Sequence, residues 1–170
     1  MGKTGLFYAT GTDKTTAIAN KIKEAFGPGQ VEVIPIERAW KKEFETFDYL
    51  IVGAATWFDG ELPSYWDELL PELKTLRLDG RKVAIFGLGD QVNYPDNFVD
   101  SIGILAEVFK GDGAELVGCT STEGYHFNHS KAVKNGEFLG LALDPETQPD
   151  KTDQRISSWV ARLKEAGFGQ

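Results

Sequence analysis

The sequence predicts an α/β fold: a doubly wound, five-stranded parallel sheet with helices on both faces and a last strand interrupted by a long insertion. Three observations predict it. Short, nearly continuous apolar runs end in small residues, as strands do when both faces of a sheet are covered. Segments with apolar residues at helical spacing separate them. From Leu116 the chain breaks this rhythm with about twenty polar and aromatic residues before a final apolar piece.

The first strand is "TGLFYA", from Thr4. A helix follows in which Ile18, Ile22, Ala25 and Phe26 share a face. "VEVIPI", Val31 to Ile36, alternates more strongly, and Pro35 marks an edge strand. "YLIVGAA" from Tyr49 and "VAIFGLG" from Val83 read as core strands. Between them Trp66, Leu69, Leu70 and Leu73 form a helical stripe, which Pro71 is expected to kink or end early. Phe98, Ile102, Leu105, Ala106 and Phe109 form the next stripe, and Ile156, Trp159, Val160 and Leu163 the last. The stretch "LVGCTSTEGYHFNHSKAVKNGEFLGLALD" reads as a strand start, an excursion and a second strand piece, "FLGLAL". A loop that long inside a compact domain needs a reason, and an interrupted strand supplies one. Sheets of this class bind ligands at the carboxyl ends of their strands, near the topological switch point.

The chain has 170 residues, enough for one domain with a real core and too few for two comfortable ones, so residues 1–170 are expected to form a single domain. There is no internal repeat and no low-complexity tract. A net charge of -8 argues against nucleic acid, whose phosphates would repel it, and suits docking onto a basic partner. Cys119 is the single cysteine, so an internal disulfide is excluded and a cytoplasmic setting is expected. No apolar run approaches the length of a membrane span, and the N-terminus lacks a signal-peptide core.

Three loops carry candidate chemistry, each following a strand. The first holds Thr10, Gly11, Thr12, Asp13, Lys14 and Thr15 and leads into a helix. Free amides at a helix N-terminus with hydroxyl donors beside them make an anion site. One threonine would be an ordinary cap; three at close spacing favour phosphate. The loop is not of Walker type, because the outer glycine and the Gly-Lys-Ser/Thr ending are missing, and it lacks the spaced glycines of a dinucleotide fingerprint. The second loop is "AATWFDGELP", Ala54 to Pro63. Trp57 there is either a loop anchor or a stacking surface for a planar ligand. The third is "GLGDQVNYPDNF", Gly87 to Phe98: its glycines allow close backbone approach, Asp90 can accept from an N–H group, and Tyr94 offers a second aromatic face. Together the loops describe a site for a phosphorylated planar ring without an adenylate half.

On these residues the chain resembles the long-chain flavodoxins, small electron shuttles that carry FMN. The resemblance spans nearly the whole chain and is strongest in "GLGDQVNYPDNF", "KAVKNGEFLGLALD" and "WVARLKEAGFG". It implies a flavodoxin-like fold, and it makes the excursion the insertion that separates long-chain from short-chain members. It implies that Thr10 through Thr15 hold the FMN phosphate and that Trp57 and Tyr94 sandwich the isoalloxazine. The backbone at Leu88, Gly89 and Asp90, with Asn97 and Phe98 nearby, would meet the ring edge, and Thr56 would lie near the ribityl chain. Phe58, Asp59 and Gly60 complete the second loop; the family's semiquinone-linked peptide flip would fall between Phe58 and Asp59. The chain departs from the family pattern twice. Asp13 replaces a glycine of the phosphate loop, and "WFDG" lacks a central glycine that many members carry. Asp13 is therefore expected to point outward, with its amide still facing the phosphate.

The implied function is low-potential electron transfer: one non-covalent FMN shuttles single electrons between redox partner proteins through semiquinone and hydroquinone states. The partners, a reductase donor and an oxidoreductase acceptor, are expected to present basic docking surfaces to a monomer. No membrane and no nucleic acid is involved. The insertion, about Thr120 to Glu137, is expected to serve docking rather than flavin binding, with Tyr125, His126 and Phe127 near the exposed surface. No residue set suggests covalent catalysis. His126 and His129 lack partners at metal spacing, Cys119 reads as a core-edge residue, and threonines stand where a phosphoacceptor domain needs an acidic pair. The alternative is an FMN-dependent quinone or nitro reductase on the same fold, which needs an open face beside the ring; two covering aromatics argue against it.

Overall fold

The computed structural model describes residues 2–9, 13–56 and 60–169. Its centre is a parallel sheet. β1 (Thr4–Tyr8) lies between β2 (Glu32–Pro35) and β3 (Tyr49–Ala55), and β4 (Lys82–Leu88) follows β3. The fifth position is shared: β5 (Glu115–Val117) pairs with the first half of β4 and β9 (Leu141–Leu143) with the second half. β2 is an edge strand, and its last residue is Pro35, whose missing N–H is tolerated there.

The two faces follow from the strand period. Leu6 and Tyr8 of β1 point to one side with Ile51 of β3, and are covered by α1 (Asp13–Phe26) and α5 (Thr152–Glu165). Ile18, Ile22 and Phe26 meet Ile156, Trp159, Val160 and Leu163 there. Phe7 and Val52 point to the other side, under α3 (Ser64–Leu73) and α4 (Asp100–Gly111). On the α1/α5 side Gly53 makes room for the Phe86 ring, from which a Cβ at that position would sit 2.1 Å. The buried Trp66 indole donates to the Gly53 carbonyl at 3.1 Å.

Several elements differ from expectation for local reasons. α3 runs through Pro71 and ends at Leu73, so the proline sits in its closing turn. The short α2 (Lys41–Thr46) has too few apolar positions to show a period; a Glu43 carboxylate accepting from the Trp40 amide at 2.7 Å starts it, and only Phe44 is buried. α4 begins at Asp100 instead of Phe98. Val99 before it is left-handed, with φ 48°, a costly conformation for a β-branched residue, and its side chain is fully buried. "FLGLAL" splits: Phe138 belongs to β8 (Glu137–Phe138), which pairs antiparallel with β6 (Thr120–Ser121) and β7 (Val133–Lys134) in a small second sheet. Only Leu141–Leu143 return to the main sheet.

Asp112 follows the last turn of α4, where helix carbonyls point at it. It is buried, and its Oδ2 has no hydrogen-bond partner. Burial pushes its carboxyl up to about 6. The protonated form is thus favoured in the fold, so the ionised carboxylate costs stability, from nothing below pH 3.8 to the full amount above about 6. Asp112→Asn is expected to stabilise the protein by about 1–2 kcal/mol at pH 7. Urea melts at pH 7 and pH 4 should show the gain at the first and little at the second.

Candidate functional site

A cleft of about 250 Å³ opens at the carboxyl ends of β3 and β4. It is bounded by Lys14, Ala55, Thr56, Leu88, Gly89, Asp90, Tyr94, Asn97, Phe98, Pro145 and Glu146. Eight of the sequence-derived site residues therefore meet in one place. Thr10, Gly11, Thr12, Trp57, Phe58 and Asp59 lie outside the described residues. Asp13 is exposed at the start of α1, as an outward-pointing carboxylate requires, whereas Thr15 is buried in the first turn. Gly60 is buried with φ 94°, and a Cβ there would meet the Asp100 carboxylate at 2.5 Å, so the second loop packs against the start of α4.

Several polar groups of the cleft are already engaged. The Thr56 amide donates to the Leu88 carbonyl at 3.0 Å, which ties the second loop to the third. The Thr56 hydroxyl donates to Ser101 Oγ at 3.0 Å, and Ser101 Oγ donates to the Ala54 carbonyl. The Gly89 amide donates to the Leu143 carbonyl at 3.0 Å, so this N–H is spent on the sheet. The Asp90 carboxylate accepts from the Val92 and Asn93 amides and from Asn93 Nδ2, closing a tight turn beneath Tyr94. Tyr94 itself is 54% exposed, a ring held at the cleft edge and left open to stack.

Phe98 borders the cleft and is also part of the core. It is 1% exposed and packs in a cluster with Tyr125, Phe127 and Phe138, at centroid distances of 5.9, 5.4 and 6.0 Å. Tyr125 and Phe127 are correspondingly half-buried, which corrects their expected exposure; His126 and His129 remain exposed. The reason is apolar: Phe138 is fully buried and needs neighbours. Backbone bonds reinforce the contact. The Asn128 and His129 amides donate to the Pro95 carbonyl, and the Phe98 amide donates to the His129 carbonyl. The insertion is a buttress for the third loop.

A second anchor lies directly after β9. Asp144 is fully buried and accepts from the Gln91 amide at 3.0 Å, Gln91 Nε2 at 2.7 Å, the Thr147 amide at 2.8 Å and the Thr147 hydroxyl at 2.5 Å. Burial alone pushes its carboxyl up; the bonds from Thr147 and Gln91 outweigh that and hold it below its ordinary value. Gln91 Oε1 accepts in turn from the His126 amide at 2.6 Å. One glutamine thus links the third loop, the insertion and the end of the last strand. Pro145 and Glu146 line the cleft from that same end, and Glu146 takes Lys14 as an ion-pair partner. The signal available was "ALDPET": an acid, a proline and a hydroxyl directly after a core strand, where a ligand-edge loop belongs.

The model of the family Flavodoxin_1, described as flavodoxin, matches residues 6–159. A flavodoxin of Nostoc sp. is 49% identical over 162 residues, covering 95% of each chain. Flavodoxin 1 of Escherichia coli is 36% identical over 166 residues, covering 97% of this chain and 94% of its own. The crystal structure of Fusobacterium nucleatum flavodoxin bound to flavin mononucleotide superposes with a TM-score of 0.94 at 34% identity and covers 99% of both chains.

Proposed function

The chain belongs to the flavodoxin family, and from that premise we propose that it carries one non-covalent FMN in the cleft above β3 and β4 and passes single electrons between redox proteins. It is an electron carrier and not an enzyme. The observation that carries this reading is the cleft itself: an apolar floor at the carboxyl ends of two core strands, with the exposed Tyr94 ring beside it. Such a cleft fits a planar ring, and the start of α1 stands at its rim through Lys14.

Bound there, FMN supplies reversible one-electron chemistry. The residues from Thr10 to Thr15 hold its phosphate through amides and hydroxyls at the start of α1. Trp57 and Tyr94 cover the ring, the backbone at Leu88, Gly89 and Asp90 meets its edge with Asn97 and Phe98 behind, and Thr56 lies beside the ribityl chain. Phe58, Asp59 and Gly60 are assigned to the same flavin site. Among the described residues two carboxylates, Asp90 and Glu146, border the cleft, and the one cation there, Lys14, already faces Glu146. The surroundings therefore oppose added negative charge, and full reduction is held to low potential.

The chain's excess of acidic residues fits donors and acceptors with basic docking faces, met briefly and released by salt. It acts as a monomer of one domain, residues 1–170, in the cytoplasm, and is of the long-chain type, its fifth strand position being filled by two separate pieces. No helix among the described residues is long and apolar enough to cross a membrane. The quinone or nitro reductase reading is not favoured, because the matching relatives are flavodoxins.

Titrating the apo-protein with FMN and with FAD tests the site. FMN should bind stoichiometrically with quenching of its fluorescence, and FAD weakly. Trp57→Ala and Tyr94→Ala should each weaken FMN binding by about 1–2 kcal/mol, for a lost stack and its buried area. Equal affinity for the two flavins, or unaffected binding in both variants, would overturn the assignment. Oxidation of NAD(P)H by the purified protein without an added reductase would restore the enzyme reading.

A further inference from the structure

A second cleft, of about 420 Å³, lies between the insertion and α5. Its charge runs against that of the chain. Overall the chain carries 26 acidic and 18 basic residues, but here Lys151, Arg155 and Arg162 face a single acidic group, Glu123. Arg155, Ser158 and Arg162 form one stripe along α5, and Lys151, in the turn just before the helix, continues their spacing. Among the described residues none of the three cations is paired with a carboxylate.

Arg155 is also held in place. Its guanidinium lies 4.0 Å over the Tyr125 ring, and Nη2 donates to Gln148 Oε1 at 2.8 Å. Gln148 is itself fixed, donating from Nε2 to the Gly124 carbonyl at 3.0 Å. The Tyr125 hydroxyl donates to the Ala142 carbonyl at 2.7 Å, and burial pushes it up to about 12, so it stays neutral beneath the cation. Arg155 Nη1 is buried and has no hydrogen-bond partner. Nη1 is closed off from the cleft, but Nη2 keeps one N–H beyond its bond to Gln148, and a guanidinium oriented in this way by stacking, with two further cations beside it, is a preformed anion receptor.

We propose that this cleft binds a small multivalent anion, a phosphate ester or polycarboxylate, through Arg155, Arg162 and Lys151, with the hydroxyls of Ser121 and Ser158 as neutral donors. Three cations against one carboxylate select for at least two negative charges on the ligand. The site is distinct from the first cleft. Tyr125 stands between them, touching Phe98 of the first with one part of its ring and carrying Arg155 of the second.

The test is an amide-shift titration of the FMN-saturated protein with citrate and with inorganic phosphate, at ionic strength held constant with sodium chloride. Saturating with FMN keeps phosphate from reporting at the first loop. The expected result is saturable shifts confined to residues 120–125 and 151–162. Arg155→Gln should weaken the better ligand at least about tenfold and Arg162→Gln severalfold. Arg162 is exposed, so that variant keeps the test intact if loss of the Arg155 stack disturbs folding. Saturation by citrate alone makes the occupant a polycarboxylate, and saturation by phosphate alone makes it a phosphate ester. Shifts that never saturate for either anion, or a saturable affinity unchanged in Arg162→Gln, would overturn the proposal.

Discussion

Replacing Phe138 by alanine is expected to destabilise the protein by about 3–5 kcal/mol, the cost of emptying a fully buried phenylalanine site. The void would open among Phe98, Tyr125 and Phe127, whose rings lie 4.9 to 6.0 Å from that of Phe138. Phe98 backs the cofactor cleft, so the effect should not stop at stability: the third loop loses its apolar support, and FMN binding should weaken as well. Denaturant melts of the apo-protein read the first effect and flavin titration the second. Phe138→Leu, which refills most of the volume, should recover most of both. A stability loss with unchanged FMN affinity would mean that the loop holds its shape through Gln91 and the backbone bonds alone.

Asp144→Ala is the second large effect, about 2–4 kcal/mol, because the Gln91 and Thr147 donors around a buried site lose their acceptor. Its pH signature is opposite to that of Asp112. The folded Asp144 carboxyl sits below its ordinary 3.8, so its stabilising contribution is complete above that pH and is lost as pH falls through the folded value. Acidification from neutrality should therefore first relieve the Asp112 penalty and then, below about pH 4, remove the Asp144 contribution. Melts of Asp144→Ala should lack that second, acid limb. Retention of the limb would assign it to other carboxylates.

The sheet and its two helix layers were legible because strand and helix periods are read from single residues in order. β1, β3 and β4 are apolar but for Thr4 and Lys82 at their first positions, and the stripes of α1 and α5 repeat at helical spacing. Much of the cleft was legible for a related reason: its loops directly follow those strands. What escaped were features decided by partners far along the chain. Phe98 has helical spacing from Ile102, but the insertion bonds its backbone and Val99 turns left-handed, so the helix starts later. Gln91 looks like any polar loop residue until Asp144 arrives beside it. The small sheet is made of two-residue strands, too short for any period to appear.

The shared edge of β4 has a consequence for the order of folding. Its first half pairs with β5, which follows α4 directly, whereas its second half waits for β9, whose first residue, Leu141, lies 24 positions after Val117 (141 − 117). Closing that span costs chain entropy before any ladder bond repays it. β5 can dock while the nucleus forms, and β9 zips on afterwards, carrying with it the Leu143 carbonyl that receives the Gly89 amide. Side chains of β9 are therefore expected to act on the barrier to unfolding and hardly on the rate of folding, which folding and unfolding rates of Leu141→Ala would check. On that order the rim of the cleft should be the last part of the sheet to close and the first to open when pairing is lost.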